Sequence, residues 1–277
     1  MDPHDGEDSR IGDIGAAAAM TRLTFRGTGD SMSVPRIYCD CGVCMEARDT
    51  GVNRRLRSSV QIDDQDAGTI WIDCGTDFAK QLEAAGLRTI DTLLITHAHF
   101  DHIGGLVEWA DACRWLKTKG QAFAPTEVTQ AILDRFPWLS QHIHFQSFDQ
   151  PITLGKWLVS SWRVNHGKNG YAYAFRFEHL ETGYKWVYCS DSIDLTEQQQ
   201  QPLANLDLLV LGTSFYHEPF PYETRSVYDV LEAIELVKKW GPKRTILTHM
   251  SHDIDLRKDY ELPEQLGFAY TGMTVKI

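Results

Sequence analysis

The stretch Thr96-His97-Ala98-His99-Phe100-Asp101-His102 limits what this chain can fold into more than any other part of it. Three imidazoles and a carboxylate fall within residues 97–102, and a protein core could hardly find a separate partner for each. Neutral imidazole and carboxylate are the ligand types that borderline divalent ions such as zinc and manganese accept. The apolar run Thr92-Leu93-Leu94-Ile95 ahead of the motif reads as a strand, and Gly104-Gly105 with helical spacing follows it. On an extended or turning segment side chains alternate with a period of two, so His97 and His99 share a side. Asp101 and His102 then come from the turn and can face a second ion.

Matching residues recur later, each at the end of a strand-like run. His166 follows Trp162-Arg163-Val164, Asp191 follows Val187-Tyr188-Cys189, and His249 follows Thr245-Ile246-Leu247. Together with the first motif they complete a dinuclear site. Two divalent ions about 3.5–4 Å apart can share a water and lower its pKa, which is the working part of a metal-dependent hydrolase.

Composition narrows the partners. The 277 residues, 43% of them hydrophobic, suffice for one large domain or two small ones. Nothing approaches the ~18 consecutive apolar residues of a membrane span. Lys and Arg number 27 against 38 Asp and Glu, a net charge of −11, which argues against a nucleic-acid or membrane partner and for a small substrate. The 6 Cys do not read as a secreted disulfide framework. With no signal-peptide pattern either, a cytoplasmic location is the expectation. Residues 1–20, acidic and then alanine-rich, read as a disordered tail or leader, and 21–277 as one domain.

Along the chain, strands are expected at Leu23–Gly27, 58–62 and 69–73, and helices at Phe78–Ala85, Leu106–Leu116 and Thr126–Phe136, the last stopped by Pro137. Residues 30–57 look polar and irregular. The second half offers strands at 152–154, 157–164, 172–177, 186–189, 206–211 and 244–247, with an amphipathic helix over Val227–Trp240 that stops at Gly241-Pro242. Periodicity alone gives a mixed α/β chain. Each half repeats strands and then strand plus helix, with ligand-type residues at strand ends. That suggests two similar sheets packed face to face with helices outside, an αββα sandwich.

The order His-x-His-x-Asp-His, His, Asp, His resembles the metallo-β-lactamase superfamily over nearly the whole chain from Leu23 onward. The resemblance implies one metal on His97, His99 and His166, a second on Asp101, His102 and His249, and Asp191 bridging them, with zinc or manganese at both. Asp73, in Trp71-Ile72-Asp73-Cys74-Gly75, matches the family's strand-end Asp that supports the metals from behind their ligands.

Cys39-x-Cys41-x-x-Cys44 offers three thiolates, one short of the tetrahedral set zinc prefers. His252, three residues past His249, is a candidate fourth ligand. Val34-Pro35-Arg36, the Cys motif and Thr248-His249-Met250-Ser251-His252-Asp253 together resemble the PhnP-type cyclic phosphodiesterases, close to the ribonuclease Z group. In that branch the three Cys and the second His hold a structural zinc. The resemblance implies a phosphoric diester hydrolase acting on a small phosphodiester, cyclic ones included, and is compatible with a homodimer.

The sequence departs from the branch at Thr224-Arg225-Ser226, where relatives usually carry a His that protonates the leaving oxygen or binds the phosphate. Arg225 cannot act as an acid near neutral pH but can clamp a phosphate bidentately. His217, in Phe215-Tyr216-His217-Glu218-Pro219, is either the nearest substitute acid or a loop surface residue. Asn53-Arg54-Arg55-Leu56-Arg57, the basic cluster of the first half, either reaches the substrate phosphate or is a solvated loop. Two other functions stay open. One is a tRNA 3′-processing endonuclease. The other is a non-hydrolytic metal protein resembling the pyrroloquinoline-quinone pathway protein B.

Overall fold

The computed structural model describes residues 21–277; the tail or leader expected over 1–20 lies outside them. The first half runs β1 (Arg22–Gly27), α1 (Gly42–Asp49), β2 (Ser59–Asp64), β3 (Gly68–Ile72), α2 (Phe78–Ala85), β4 (Thr92–Leu94), α3 (Phe100–Ile103), α4 (Leu106–Leu116), β5 (Gly120–Ala124), α5 (Thr126–Arg135) and β6 (Ile143–Ser147). The second runs β7 (Ile152–Leu154), β8 (Trp157–Asn165), β9 (Tyr171–His179), β10 (Lys185–Cys189), α6 (Glu197–Gln200), β11 (Leu208–Gly212), α7 (Val230–Trp240), β12 (Thr245–Thr248), β13 (Leu266–Phe268) and β14 (Thr274–Lys276).

These strands make two seven-stranded sheets, ordered β14-β1-β2-β3-β4-β5-β6 and β13-β12-β11-β10-β9-β8-β7. In each, one end is antiparallel and the other parallel: β3 to β6 in the first sheet, β10 to β13 in the second. Parallel neighbours need crossovers, and helices supply most of them. The sheets face each other through Leu23, Phe25, Ile62, Ile70 and Ile72 on one side and Phe175, Phe177, Trp186, Tyr188 and Val210 on the other. The Phe177 and Trp186 rings stack with centroids 4.2 Å apart. Each such fully buried side chain contributes roughly 1.5–3 kcal/mol. The helices cover the outer faces, so the αββα sandwich expected from the sequence is the fold.

The helices follow their patterning. Val230, Ala233, Val237 and Trp240 are the buried residues of α7 and pack on the second sheet. Asp229 caps its N-terminus in a reciprocal box with Glu232, and Gly241 ends it in the left-handed conformation. The expected start at Val227 therefore moves to Val230. On the first sheet α4 lays down Leu106, Trp109, Ala110 and Cys113. Two departures from the sequence reading matter for the site. The polar stretch 30–57 contains α1, and strands β5, β6, β13 and β14 widen both sheets. No helix among the described residues is long and apolar enough to cross a membrane.

Candidate metal centre

The carboxyl ends of the parallel strands deliver the ligand-type residues, which is where open α/β sheets generally bind ligands. Asp73 follows β3, the 97–102 motif follows β4, Asp191 follows β10 and His249 follows β12; His166 comes from the end of β8. Asp73 and His249 both adopt φ 59°, a left-handed conformation uncommon for residues with a Cβ. At each the chain turns sharply off its strand, and backbone strain of this kind gathers at functional sites. Gly75 is required for the same packing: a Cβ there would meet the Asp101 carbonyl oxygen at 2.0 Å.

Ligand atoms of His97, His99 and His166 converge within 4.8 Å of one another, as do those of Asp101, His102 and His249, and those of His97, His102 and Asp191. The three groups share residues, so they form one continuous cluster with Asp191 in its middle. His249 Nε2 lies 3.1 Å from Asp191 Oδ1, and His102 Nε2 lies 3.1 Å from Asp101 Oδ2 and 3.3 Å from Asp191 Oδ2. Yet His102 Nε2, Asp191 Oδ2 and both His249 ring nitrogens are buried without a hydrogen-bond partner among the described residues. Buried polar atoms are nearly always paired. Orphaned lone pairs aimed at one point are what a divalent cation would satisfy, so the residues fit the metals the sequence implies.

Asp73 is fully buried and organises the cluster from behind. Its Oδ1 accepts the Thr96 N–H at 2.8 Å; its Oδ2 accepts the Thr96 hydroxyl at 2.8 Å and His102 Nδ1–H at 2.7 Å. His97 Nδ1 in turn lies 3.0 Å from the Thr96 hydroxyl. One carboxylate therefore orients two imidazoles and leaves their Nε2 atoms for metal, the usual device of metal-ligating histidines. His166 Nδ1 donates to the Ser226 carbonyl at 2.7 Å. Next to it Gly167, at φ 56°, is indispensable, since a Cβ would meet the Arg225 carbonyl at 2.2 Å.

Burial pushes the His97, His99 and His166 imidazoles down, which keeps their lone pairs free. Burial opposes ionisation of Asp101 and Asp191 as well. The facing imidazoles, His102 first for Asp101 and His249 first for Asp191, nevertheless hold both carboxyls well below their usual range. Burial likewise works against charge on His102 and His249, and the same carboxylates raise both.

The Cys motif and His252 also come together. The Cys39, Cys41 and Cys44 sulfurs lie 3.3, 3.5 and 3.4 Å from His252 Nδ1. A tetrahedral zinc with bonds of about 2.3 Å to sulfur and about 2.0 Å to nitrogen would give S···N edges of about 3.5 Å. The cluster could hold a structural metal. Cys41 sits at the N-cap of α1 and Cys44 lies within it. Burial pushes the Cys44 thiol up to about 11, and a cation among the sulfurs would reverse that.

Three sequence candidates lie outside the cavity over the cluster. Arg225 does not face the metals. Its guanidinium is bidentate to Glu232 at 3.0 and 2.6 Å, donates from Nε to Glu218 at 3.1 Å, and lies 3.6 Å from Asp229. The acidic cap of α7 attracts it away from the cavity, so it clamps carboxylates and not a phosphate. The His217 imidazole is 69% exposed and lies 3.4 Å from Asp229; it lines the neighbouring groove with Arg225. The basic segment 53–57 is neither a phosphate arm nor a solvated loop. Arg55 is fully buried and donates to the Ile254 carbonyl at 2.6 Å, and Arg57 pairs with Asp77 at 2.9 Å.

A cavity of about 370 Å³ opens over the cluster, floored by His99, Asp101, His166, Asp191 and His249. Its walls add Arg36, from the Val34-Pro35-Arg36 motif, and three charged groups to which the sequence reading gave no role: Asp30, Lys168 and Glu218. Arg36 pairs with Asp30 at 2.6 Å, while its Nε is buried without a partner. Lys168 follows His166 by two residues, a spacing that could have flagged it.

Fold and cluster define an αββα sandwich with a candidate metal centre, and its family is found by comparison. Residues 69–250 match the family described as the beta-lactamase superfamily domain, and the chain belongs to that superfamily. It is 27% identical, over 91% of its length, to an octanoyltransferase of Porphyromonas gingivalis. The chain spans 51% of that relative's length. Among solved structures it is similar to a diphosphatase from the PhnP family, with a TM-score of 0.81 and 27% identity over 93% of this chain and 97% of the other. It also shares its fold with human tRNase Z, short form, at a TM-score of 0.64 and 19% identity over 92% of this chain and 98% of the other.

Proposed function

We propose that the protein is a metal-dependent hydrolase of a small phosphodiester, cyclic ones included, working on a dinuclear centre of zinc or manganese. The observation that carries this reading is the set of orphaned, buried ligand atoms of His102, Asp191 and His249 at the floor of a cavity whose walls hold Arg36 and Lys168. His97, His99 and His166 would hold one ion, Asp101, His102 and His249 the other, with Asp191 between them. When bound, the ions supply Lewis acidity and a lowered pKa for the attacking water. Asp73, through His102 directly and His97 by way of Thr96, keeps the imidazoles in the tautomer that binds. Arg36 and Lys168 offset charge on the non-bridging phosphoryl oxygens, a term that is strong in a site shielded from water. Cys39, Cys41, Cys44 and His252 would hold a third, structural zinc, tying α1 to the loop that carries His249.

Likeness to the PhnP-family diphosphatase supports phosphate chemistry. With segment 53–57 consumed in internal contacts, a small anion suits the cavity better than a nucleic acid, and a second copy of the chain is a compatible partner. The test is hydrolysis of bis(p-nitrophenyl) phosphate with Mn²⁺ or Zn²⁺. Asp191→Ala is expected to lower kcat by about 10³-fold or more, the scale of losing an essential catalytic group. Unchanged turnover in that variant refutes the reading.

A further inference from the structure

We infer that Glu218 is the catalytic acid of this site, delivering a proton to the leaving oxygen, and that Arg225 is the positioning residue that aims it. The inference rests on the hydrolase reading above. It begins from the side chains of the cavity that can carry a proton. Asp30 lines the wall, but Met32 N–H binds its Oδ1 at 3.0 Å and Arg36 binds its Oδ2 at 2.6 Å. Lys168 and Arg36 suit charge neutralisation. His217 and Arg225 lie in the neighbouring groove. Glu218 remains: it lines the same cavity as His99, Asp101, Asp191 and His249, and its side chain is 10% exposed.

Its placement is fixed on one side and free on the other. The Glu218 N–H donates to Asp229 Oδ2 at 3.0 Å, and Arg225 Nε–H donates to Glu218 Oε2 at 3.1 Å. Among the described residues nothing donates to Oε1. Arg225 is itself clamped by Glu232, so the carboxyl hangs from the N-terminal cap of α7. The groups facing Glu218 are Arg225 and, from the capped end of α7, Asp229 and Glu232; Arg36 and Lys168 line the same cavity. Burial pushes the carboxyl up, Arg225 pulls it back, and Asp229 and Glu232 push it up again, leaving a net rise. A rise of this kind favours the proton-carrying form, the one an acid catalyst requires. Here water forms the new O–P bond and gives up one proton to solvent, the P–O bond to the alcohol breaks with its electron pair leaving on oxygen, and the Glu218 proton goes to that oxygen. The carboxylate then regains a proton from solvent.

The experiment compares wild type, Glu218→Gln and Glu218→Ala on methyl aryl phosphates whose leaving groups run from p-nitrophenol to phenol. p-Nitrophenolate leaves without a proton and phenolate benefits from one. The loss in Glu218→Gln should therefore grow along the series, from under about 10-fold to about 100-fold or more, the range of general acid catalysis. The basic limb of the kcat/KM profile should vanish, and formate should restore Glu218→Ala. Equal losses for all esters, with the basic limb kept and no rescue by formate, would overturn Glu218 as the acid while leaving the hydrolase reading intact. Wild type inactive on every ester overturns both.

Discussion

Replacing Asp73 by Asn separates charge from shape at the point where the fold meets the metals. Asn tolerates the left-handed backbone at φ 59°, so the variant adds no strain. It keeps the volume of a fully buried side chain. What changes is the hydrogen bonding. The carboxylate accepts three bonds, from Thr96 N–H, the Thr96 hydroxyl and His102 Nδ1–H. An amide placed with its oxygen toward the last two turns its NH₂ against the Thr96 N–H and leaves a buried donor unpaired, at a cost of about 1–3 kcal/mol. Behind His102 the negative charge is gone, and losing such a partner typically weakens metal binding by roughly 10–100-fold, or about 1.4–2.7 kcal/mol. The assays are zinc titration against a chromogenic chelator and thermal melts of the metal-free protein followed by circular dichroism. Both should move: a lower Tm without metal and a weaker site with it. Zinc affinity within about two-fold of wild type, alongside the lowered Tm, would mean that Asp73 serves the core and not the metals.

Two further outcomes are expected. His252→Ala should lower the zinc content by about one ion per chain, read by mass spectrometry, and lower Tm as well, because a structural zinc contributes folding energy directly; a full zinc complement in the variant would refute the Cys₃His assignment. Glu46 accepts N–H bonds from Val52, Asn53 and the Asn53 amide, at 2.9, 2.9 and 2.8 Å. Burial opposes its charge, but these donors and Thr50 lower its pKa from 4.5 to about 2. Since the folded value is the lower one, its contribution is complete above pH 4.5 and is lost as pH falls toward 2. The stability difference between wild type and Glu46→Gln should shrink over that window, and a pH-independent difference would contradict this.

The candidate ligands were legible because parallel strands announce their ends. Strands β10 and β12 are buried over nearly their whole length, as the central strands of a covered sheet are. A His or Asp directly after such a strand, as at His249 and Asp191, has nowhere to go but the crevice. The pairing of the Cys motif with His252 was legible for a related reason, since three soft ligands need a fourth. Side-chain direction was not. The Arg225 position follows from alignment with relatives, but its aim is decided by Glu218, Asp229 and Glu232. That spacing (i−7, i+4, i+7 from the Arg) lay open in the sequence as an acidic trap. Helix α1 was hidden because its buried residues are Cys44, Glu46 and Ala47, with a carboxylate among them, so no apolar stripe appears. The three-residue strands β13 and β14 are too short for alternation to be counted.

The pairing of β14 with β1 sets the order in which the molecule can be finished. Leu23 sits opposite Val275, and the Ile277 N–H reaches the Thr21 carbonyl at 3.0 Å. During synthesis β1 emerges about 250 residues ahead of β14, and its outer edge waits for that partner. Until then the first sheet has an open flank able to recruit a foreign strand. Pairing with β14 is therefore a buttoning step, and removing only β14 would return that flank to solvent while leaving every residue of the candidate metal cluster in the chain.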